Sequence, residues 1–105
     1  MMEIDVSPMK FARGKATLVA GMYANDRIAL KMYQKGEPLC VPSVNLPNTP
    51  LGENEIFIKN WSENEGVLEA LVKAGIVEDT GQTVPTGFVE ANVCRLLIDP
   101  ATIAE

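Results

Sequence analysis

The sequence contains no histidine, and among its 105 residues it has only two cysteines and one tryptophan. Histidine is the side chain whose ordinary pKa lies nearest to neutral pH, so its absence removes the commonest general base and a common metal ligand. The sequence also has no glycine-rich phosphate loop, nucleophile elbow or cysteine–histidine pair. This composition predicts a non-enzymatic binding protein with no catalytic residues, no cofactor and no metal site.

Long hydrophobic runs are missing as well, and the longest fall far short of the roughly 18 residues that a membrane-spanning helix needs. The first nine residues lack the basic and apolar regions of a secretory signal. We therefore expect a cytoplasmic protein without membrane contact. In that reducing compartment, we expect Cys40 and Cys94 to be free thiols.

The length fits one domain over residues 1–105, and a composition of 47% hydrophobic and 22% charged residues favours a folded globular protein. Residues 1–15 precede the first predicted strand, and we interpret them as a frayed leader.

Alternating apolar residues predict strands in the first half of the chain, over residues 16–23, 27–33 and 38–44. The second strand alternates most strictly, with Ile28, Leu30 and Met32 on one face. Pro42 predicts an edge position for the third strand, because proline cannot donate to a sheet hydrogen bond. These strands are expected to form a meander.

The second half predicts a loop over residues 45–54, a short strand over 55–59 and one helix. Ser62 followed by Glu65 resembles a capping box that opens this helix, and Gly75 follows its end near Ala74.

Residues 78–82 are polar and turn-like, and a last strand covers residues 88–98. The side-chain parity of this strand switches at Cys94, which indicates a bulge or burial of both faces. The order βββ, loop, β, α, β predicts an α+β fold, a mostly antiparallel sheet of about five strands with one helix packed on it.

Three segments carry a resemblance to known proteins, namely residues 44–47 (VNLP), 55–59 (EIFIK) and 85–89 (PTGFV). Together they resemble a family of small proteins without assigned activity, found in bacterial chromosomes, integrative elements and phages. The resemblance covers about residues 16–98 and implies a hairpin, an Asn-Leu-Pro loop, one helix and a closing strand. It implies a mobile-element context, in which some small acidic proteins, anti-CRISPR proteins among them, occupy the surface of a defence complex.

The charges are divided unevenly along the chain. Residues 9–35 contain six basic side chains and one acidic side chain, whereas residues 53–105 contain ten acidic and three basic ones. Fields of this kind act on the encounter with a partner rather than on the fold.

The acidic half supplies the candidates for a partner-binding surface: Glu53, Glu55, Trp61, Glu63, Glu69, Glu78 and Asp79. Their carboxylates could imitate phosphates and engage the basic groove of an enzyme. A plain solvated helix face also explains several of them, because Glu63 suits the positive end of the helix dipole and Glu69 can pair with Lys73. Trp61 could cover the first helical turn or serve as an aromatic anchor.

The basic half supplies an alternative, nucleic-acid-binding set: Lys10, Arg13, Lys15, Arg27, Lys31 and Lys35. Phe11, Tyr23 and Tyr33 lie beside them as potential stacking partners. A net charge of −5 argues against a dedicated nucleic-acid binder.

Two functions follow from these patterns. The first is a protein-binding inhibitor or modulator from a phage or mobile element, in its most specific form an anti-CRISPR protein that binds a Cas effector through the acidic surface. The second is a nucleic-acid-associated accessory or regulatory factor that uses the basic hairpin, with a homodimer through the Pro42 edge strand as one arrangement.

Overall fold

Two antiparallel sheets and one short helix make up the protein in a computed structural model that describes all 105 residues. The elements are β1 (Met2–Asp5), β2 (Lys15–Met22), β3 (Ile28–Gln34), β4 (Glu37–Cys40), β5 (Glu55–Ile58), α1 (Val67–Lys73), β6 (Val77–Thr86) and β7 (Val89–Leu96). The first sheet has the order β1-β2-β3-β4 and the second has the order β5-β7-β6. The α+β class is confirmed, but seven strands in two sheets replace the single sheet of about five. No helix has the length and apolar character needed to cross a membrane.

The β2–β3 hairpin forms the centre of the first sheet. Leu18 lies opposite Met32 and Ala20 lies opposite Leu30, and all four side chains are buried in the main core. The strict alternation predicted for β3 is confirmed, because one face of the strand packs against the core.

The prediction of a frayed leader over residues 1–15 is wrong. β1 pairs with β2, with Ile4 opposite Ala16, and the buried side chains of Ile4, Val6, Met9 and Ala12 join the main core. Apolar side chains separated by polar ones make a weak pattern in so short a segment, and only the neighbouring elements give them a place to be buried.

The predicted third strand ends sooner than its sequence indicated. β4 stops at Cys40 and is an edge strand of the first sheet, whereas Pro42 lies beyond it and is fully buried. The Pro42 carbonyl accepts a hydrogen bond of 2.8 Å from the Lys59 amide. Pro42 therefore links the two sheets instead of marking an exposed edge.

Residues 78–82, predicted to be turn-like, lie within β6, the longest strand. Asp79 pairs with Cys94 and Gln82 pairs with Val93, so two residues of β6 are left over as a bulge. The Thr80 hydroxyl fixes this bulge by donating to the Val93 carbonyl at 2.6 Å. Adjacent burial of Val93 and Cys94 confirms the irregularity predicted for the last strand.

The predicted helix start at Ser62 is wrong, whereas its end is confirmed. Residues 62–64 form a 3-10 turn, and α1 begins only at Val67. The side-chain oxygen of Asn60 accepts from the Gly66 and Leu68 amides at 3.1 and 3.0 Å, which are the contacts that a helix cap supplies. At the other end, the amides of Gly75 and Ile76 donate back to the last turn, as a Schellman motif requires.

One large core lies between the sheets and α1, and it contains 18 buried side chains from both sheets and the helix. A smaller cluster of Phe57, Ala91 and Val93 lies on the opposite face of the second sheet. Residues of the 44–51 loop and Trp61 cover this smaller cluster.

Candidate binding surfaces

The predicted acidic residues lie at several places in the fold. Glu55 and Glu78 lie on either side of Arg95 across the second sheet, and the Arg95 guanidinium forms an ion pair with Glu78. A carboxylate oxygen of Glu55 also accepts from the Gly52 amide at 2.8 Å. These two carboxylates therefore help to hold one end of the second sheet.

Other members of the set also have local partners. Glu63 accepts from the Lys59 ammonium at 2.8 Å, and this hydrogen bond lowers the pKa of the Glu63 carboxyl. Asp79 accepts from the Gly81 amide inside the β6 bulge. Glu53 and Glu69 are exposed and make no hydrogen bond or ion pair, and the predicted pair of Glu69 with Lys73 does not form.

Trp61 and Glu55 lie near opposite ends of β5. Glu55 is the first residue of the strand, and Trp61 comes after its last residue. The Trp61 side chain is half-buried and packs against the cluster of Phe57, Ala91 and Val93. The Lys59 ammonium lies 6.0 Å from its ring centroid. One part of the Trp61 side chain is therefore buried against this cluster, and the other part is exposed to solvent.

Phe88 is a candidate that the sequence patterns did not single out. Thr86 pairs with Val89, so Gly87 and Phe88 form a two-residue turn between β6 and β7. Gly87 has φ +77°, and a hairpin turn with glycine at its first central position needs this conformation. Phe88 comes next and is fully exposed at the hairpin tip. The sequence pattern predicts Phe88 as the first residue of the strand over residues 88–98, whereas β7 begins at Val89 and Phe88 lies in the turn before it.

An apolar strip connects this tip to the smaller cluster. Val84 packs against that cluster, and its partner across the hairpin is Ala91. Val89 lies on the same face because strand side chains alternate with period two. The strip runs from Trp61 past Val84 and Val89 towards Phe88.

Arg27 does not belong to a free basic surface. Its guanidinium donates to the carbonyls of Leu46 and Thr49 at 2.7 and 2.8 Å, and it lies 5.9 Å from the Phe57 ring centroid. Arg27 therefore fixes the 45–54 loop over the smaller cluster.

Three of the other basic residues come together around one open cleft. Its lining is Lys10, Phe11, Ala12, Arg13, Gln34 and Lys35. Lys15 and Lys31 lie elsewhere, on the face of the first sheet opposite the main core.

The aromatic residues predicted to stack beside these bases also separate. Phe11 lines the cleft and is mostly exposed. The Tyr23 hydroxyl is 2.8 Å from that of Ser43, and the Tyr33 hydroxyl donates to a Glu105 carboxylate oxygen at 3.3 Å. Phe11 is therefore the member of the three that the basic cleft contains.

Both cysteines are free thiols, as predicted. Burial is the main cause that raises the pKa of Cys94 to about 12 and that of Cys40 to about 11, and the nearby carboxylates of Asp79 and Glu63 respectively add to it. No three side chains of the metal-binding types lie close enough together to hold an ion.

Comparison with protein-family models, with curated proteins and with solved structures gives no match to this chain.

Proposed function

We propose that the protein is a non-enzymatic binding protein of the cytoplasm that docks on another protein through the tip of the β6–β7 hairpin. The observation that carries this proposal is the full exposure of Phe88 at that tip. Transfer of a phenylalanine side chain from water into an apolar pocket contributes about 1.5–3 kcal/mol, and aromatic anchors dominate many interfaces.

The hairpin presents Phe88 on a firm support. β6 and β7 pair along eight residue positions, and β5 pairs with the other edge of β7. The two-residue turn leaves little freedom at the tip. A binding element that is already ordered loses less conformational entropy when it docks, which favours affinity.

The acidic half of the chain supports a basic partner. Glu53 and Glu69 carry charges that no cation in the protein neutralises by direct contact. Such charges increase the rate of encounter with a positively charged surface more than they increase affinity. A nucleic-acid-binding complex has such a surface, and on it this protein would act as an inhibitor or modulator.

The most specific form of this proposal is an anti-CRISPR protein whose partner is a Cas effector. That form rests on the resemblance to small phage and mobile-element proteins together with the acidic charge.

The first prediction tests Phe88 against a matched phenylalanine. Wild-type protein, Phe88→Ser and Phe11→Ser serve as baits in a bacterial lysate, and the partner that the wild type captures is then purified and titrated against all three. Phe88→Ser should weaken its binding by about tenfold or more, equivalent to about 1.4 kcal/mol, through loss of the anchor. Phe11→Ser should bind within about twofold of the wild type, because Phe11 lies outside the hairpin.

Equal affinities of the wild type and Phe88→Ser would refute the hairpin as the docking element. Phe88-dependent binding of the protein to neutral lipid vesicles, with no protein partner captured, would also refute it.

The acidic charges are tested separately. A Glu53→Gln, Glu69→Gln double variant should associate with the partner more slowly than the wild type at low salt, and the difference should fade at high salt.

A further inference from the structure

The basic cleft is built from two segments that lie far apart in the sequence. One is the connection between β1 and β2, which contributes Lys10, Phe11, Ala12 and Arg13, and the other is the turn between β3 and β4, which contributes Gln34 and Lys35. The cleft has a volume of about 470 Å³, which lies within the usual range for small-molecule sites.

Hydrogen bonds hold these two segments together. The side-chain amide of Gln34 donates to the carbonyls of Arg13 and Lys15 at 2.6 and 3.0 Å. The Lys10 amide donates to the Glu65 carbonyl at 2.9 Å, which ties the first segment to the helix entry. The side chains of Met9 and Ala12 are buried. The neighbouring side chains of Lys10, Phe11 and Arg13 are exposed.

The lining carries three positive charges and no negative one. One cation of the lining has a carboxylate partner: an oxygen of Glu65 lies 3.8 Å from the Lys10 ammonium, in a pair that is more than half exposed on both sides. An exposed pair of this length is weak and does not neutralise the cleft. The cleft is therefore suited to an anion.

Phe11 adds an apolar surface beside these charges. Its side chain is mostly exposed, and the Lys10 ammonium lies 5.4 Å from the ring centroid. Nucleic-acid bases stack on exposed aromatic rings, with neighbouring cations on the phosphates. A nucleotide carries a base and a phosphate on one sugar, so it matches the aromatic ring and the positive charges of the cleft better than inorganic phosphate does.

Lys35 occupies a conformation that lysine rarely adopts. It has φ +54° in the two-residue turn to Gly36, a position where asparagine, aspartate or glycine is preferred. A residue held in such a conformation without a structural need points to a role for its side chain. In this fold the Lys35 side chain lines the cleft.

From these observations we propose that the basic cleft binds a phosphate and its adjoining base, as presented by a short single strand of nucleic acid. Phe11 stacks on the base, while Lys10, Arg13 and Lys35 contact phosphate oxygens. A stacked duplex does not offer its bases to an aromatic ring, and the acidic half of the chain repels a long phosphate backbone. This site is separate from the hairpin tip and does not depend on the proposed docking function.

The second prediction is tested by fluorescence anisotropy with a labelled oligothymidylate of about six nucleotides, the short end of known site sizes. Lys35→Gln and Phe11→Ser should each weaken binding by about fivefold or more. Lys31→Gln is the matched control, since it removes the same charge outside the cleft, and it should bind within about twofold of the wild type. Phe88→Ser should bind like the wild type.

The salt dependence gives an independent readout. Neutralisation of one phosphate of a single strand predicts a slope of about −0.7 for log K against log salt, and Lys35→Gln should make that slope shallower. Competition with thymidine monophosphate and with inorganic phosphate separates the sources of the anion: displacement by the nucleotide but not by phosphate supports recognition of base and phosphate together.

Three results would overturn the proposal: no saturable binding of the oligonucleotide at low salt, tighter binding of a duplex of the same length, or equal losses in Lys31→Gln and Lys35→Gln. An unchanged melting temperature in Lys35→Gln and Phe11→Ser confirms that a loss of binding does not reflect unfolding.

Discussion

At the scale of single residues, basic side chains from one half of the chain serve different purposes. The Arg27 guanidinium donates hydrogen bonds to the carbonyls of Leu46 and Thr49, whereas the Lys35 side chain makes no hydrogen bond or ion pair. Sequence position does not distinguish the two, because each lies beside a turn at one end of the same strand pattern. Arg27 is a structural residue because its planar fork reaches two carbonyls at once.

The third prediction concerns the conformation of Lys35. Lys35→Asn should raise the free energy of unfolding by about 0.5–1 kcal/mol, because asparagine tolerates the left-handed conformation better than lysine does. Urea unfolding of the two proteins measures the difference. Lys31→Asn is the control, and it should not stabilise the protein, since Lys31 lies within a strand where asparagine is disfavoured.

A Lys35→Asn variant that is more stable and yet binds the oligonucleotide less well would show that stability is sacrificed for function at this turn. A variant that is no more stable than the wild type would contradict the strain assigned to Lys35.

At the scale of elements, the start of α1 depends on a contact with the first residues of the chain. Gly66 has φ +94°, and a Cβ atom placed there would lie 2.3 Å from the Pro8 carbonyl oxygen and 2.7 Å from the Met9 Cα. Only glycine satisfies both the conformation and the close approach. The segment before β2 is therefore packed against the helix entry, which explains why it is ordered.

The fourth prediction separates the true helix cap from the apparent one. Asn60→Ala should lower the free energy of unfolding by about 1–2 kcal/mol, since the Gly66 and Leu68 amides lose their acceptor. Ser62→Ala should cost less than about 0.5 kcal/mol, because the Ser62 side chain makes no capping contact. Thermal or urea unfolding of both variants measures these effects, and a larger loss in Ser62→Ala would restore the capping box that the sequence indicated.

At the scale of the whole molecule, both sheets and the helix share one core, and both thiols belong to it. Cys94 is a member of the main cluster, and Cys40 packs against it. Burial favours the neutral form of a thiol and raises its pKa, so each thiol in the native protein stays protonated at neutral pH. A protonated thiol is a poor nucleophile.

The fifth prediction follows from these raised pKa values. An unfolded thiol loses its proton near pH 8.5, whereas the folded values are about 11 for Cys40 and about 12 for Cys94. The folded state therefore holds protons that the unfolded state releases, and stability present below about pH 8.5 should fall as the pH rises towards 11–12. Urea unfolding at a series of alkaline pH values measures this fall.

A Cys40→Ala, Cys94→Ala double variant isolates the thiols from the lysines and tyrosines that titrate in the same range. Its stability should depend less steeply on pH above 9, and an identical slope would contradict the prediction. At neutral pH, a thiol reagent should label both cysteines in the denatured protein and only slowly in the native one.

The sequence alone determined the features that depend on neighbouring residues. The alternation in β3, the loop over residues 45–54 and the helix stop at Gly75 were all predictable, because each is set by side-chain periodicity or by local turn chemistry. The free thiols and the α+β class were also predictable from composition and from the order of patterns.

Tertiary contacts decided the remaining features. Residues 1–15 are ordered because β2 and the helix entry bury their apolar side chains, and β6 is a strand because β7 pairs with its polar residues on both sides of a bulge. The same contacts separated the candidate acids, brought Lys10 and Arg13 beside Lys35, and left Phe88 exposed at a hairpin tip. Burial and pairing between distant segments outweigh local propensity, and a single sequence does not record which segments will meet.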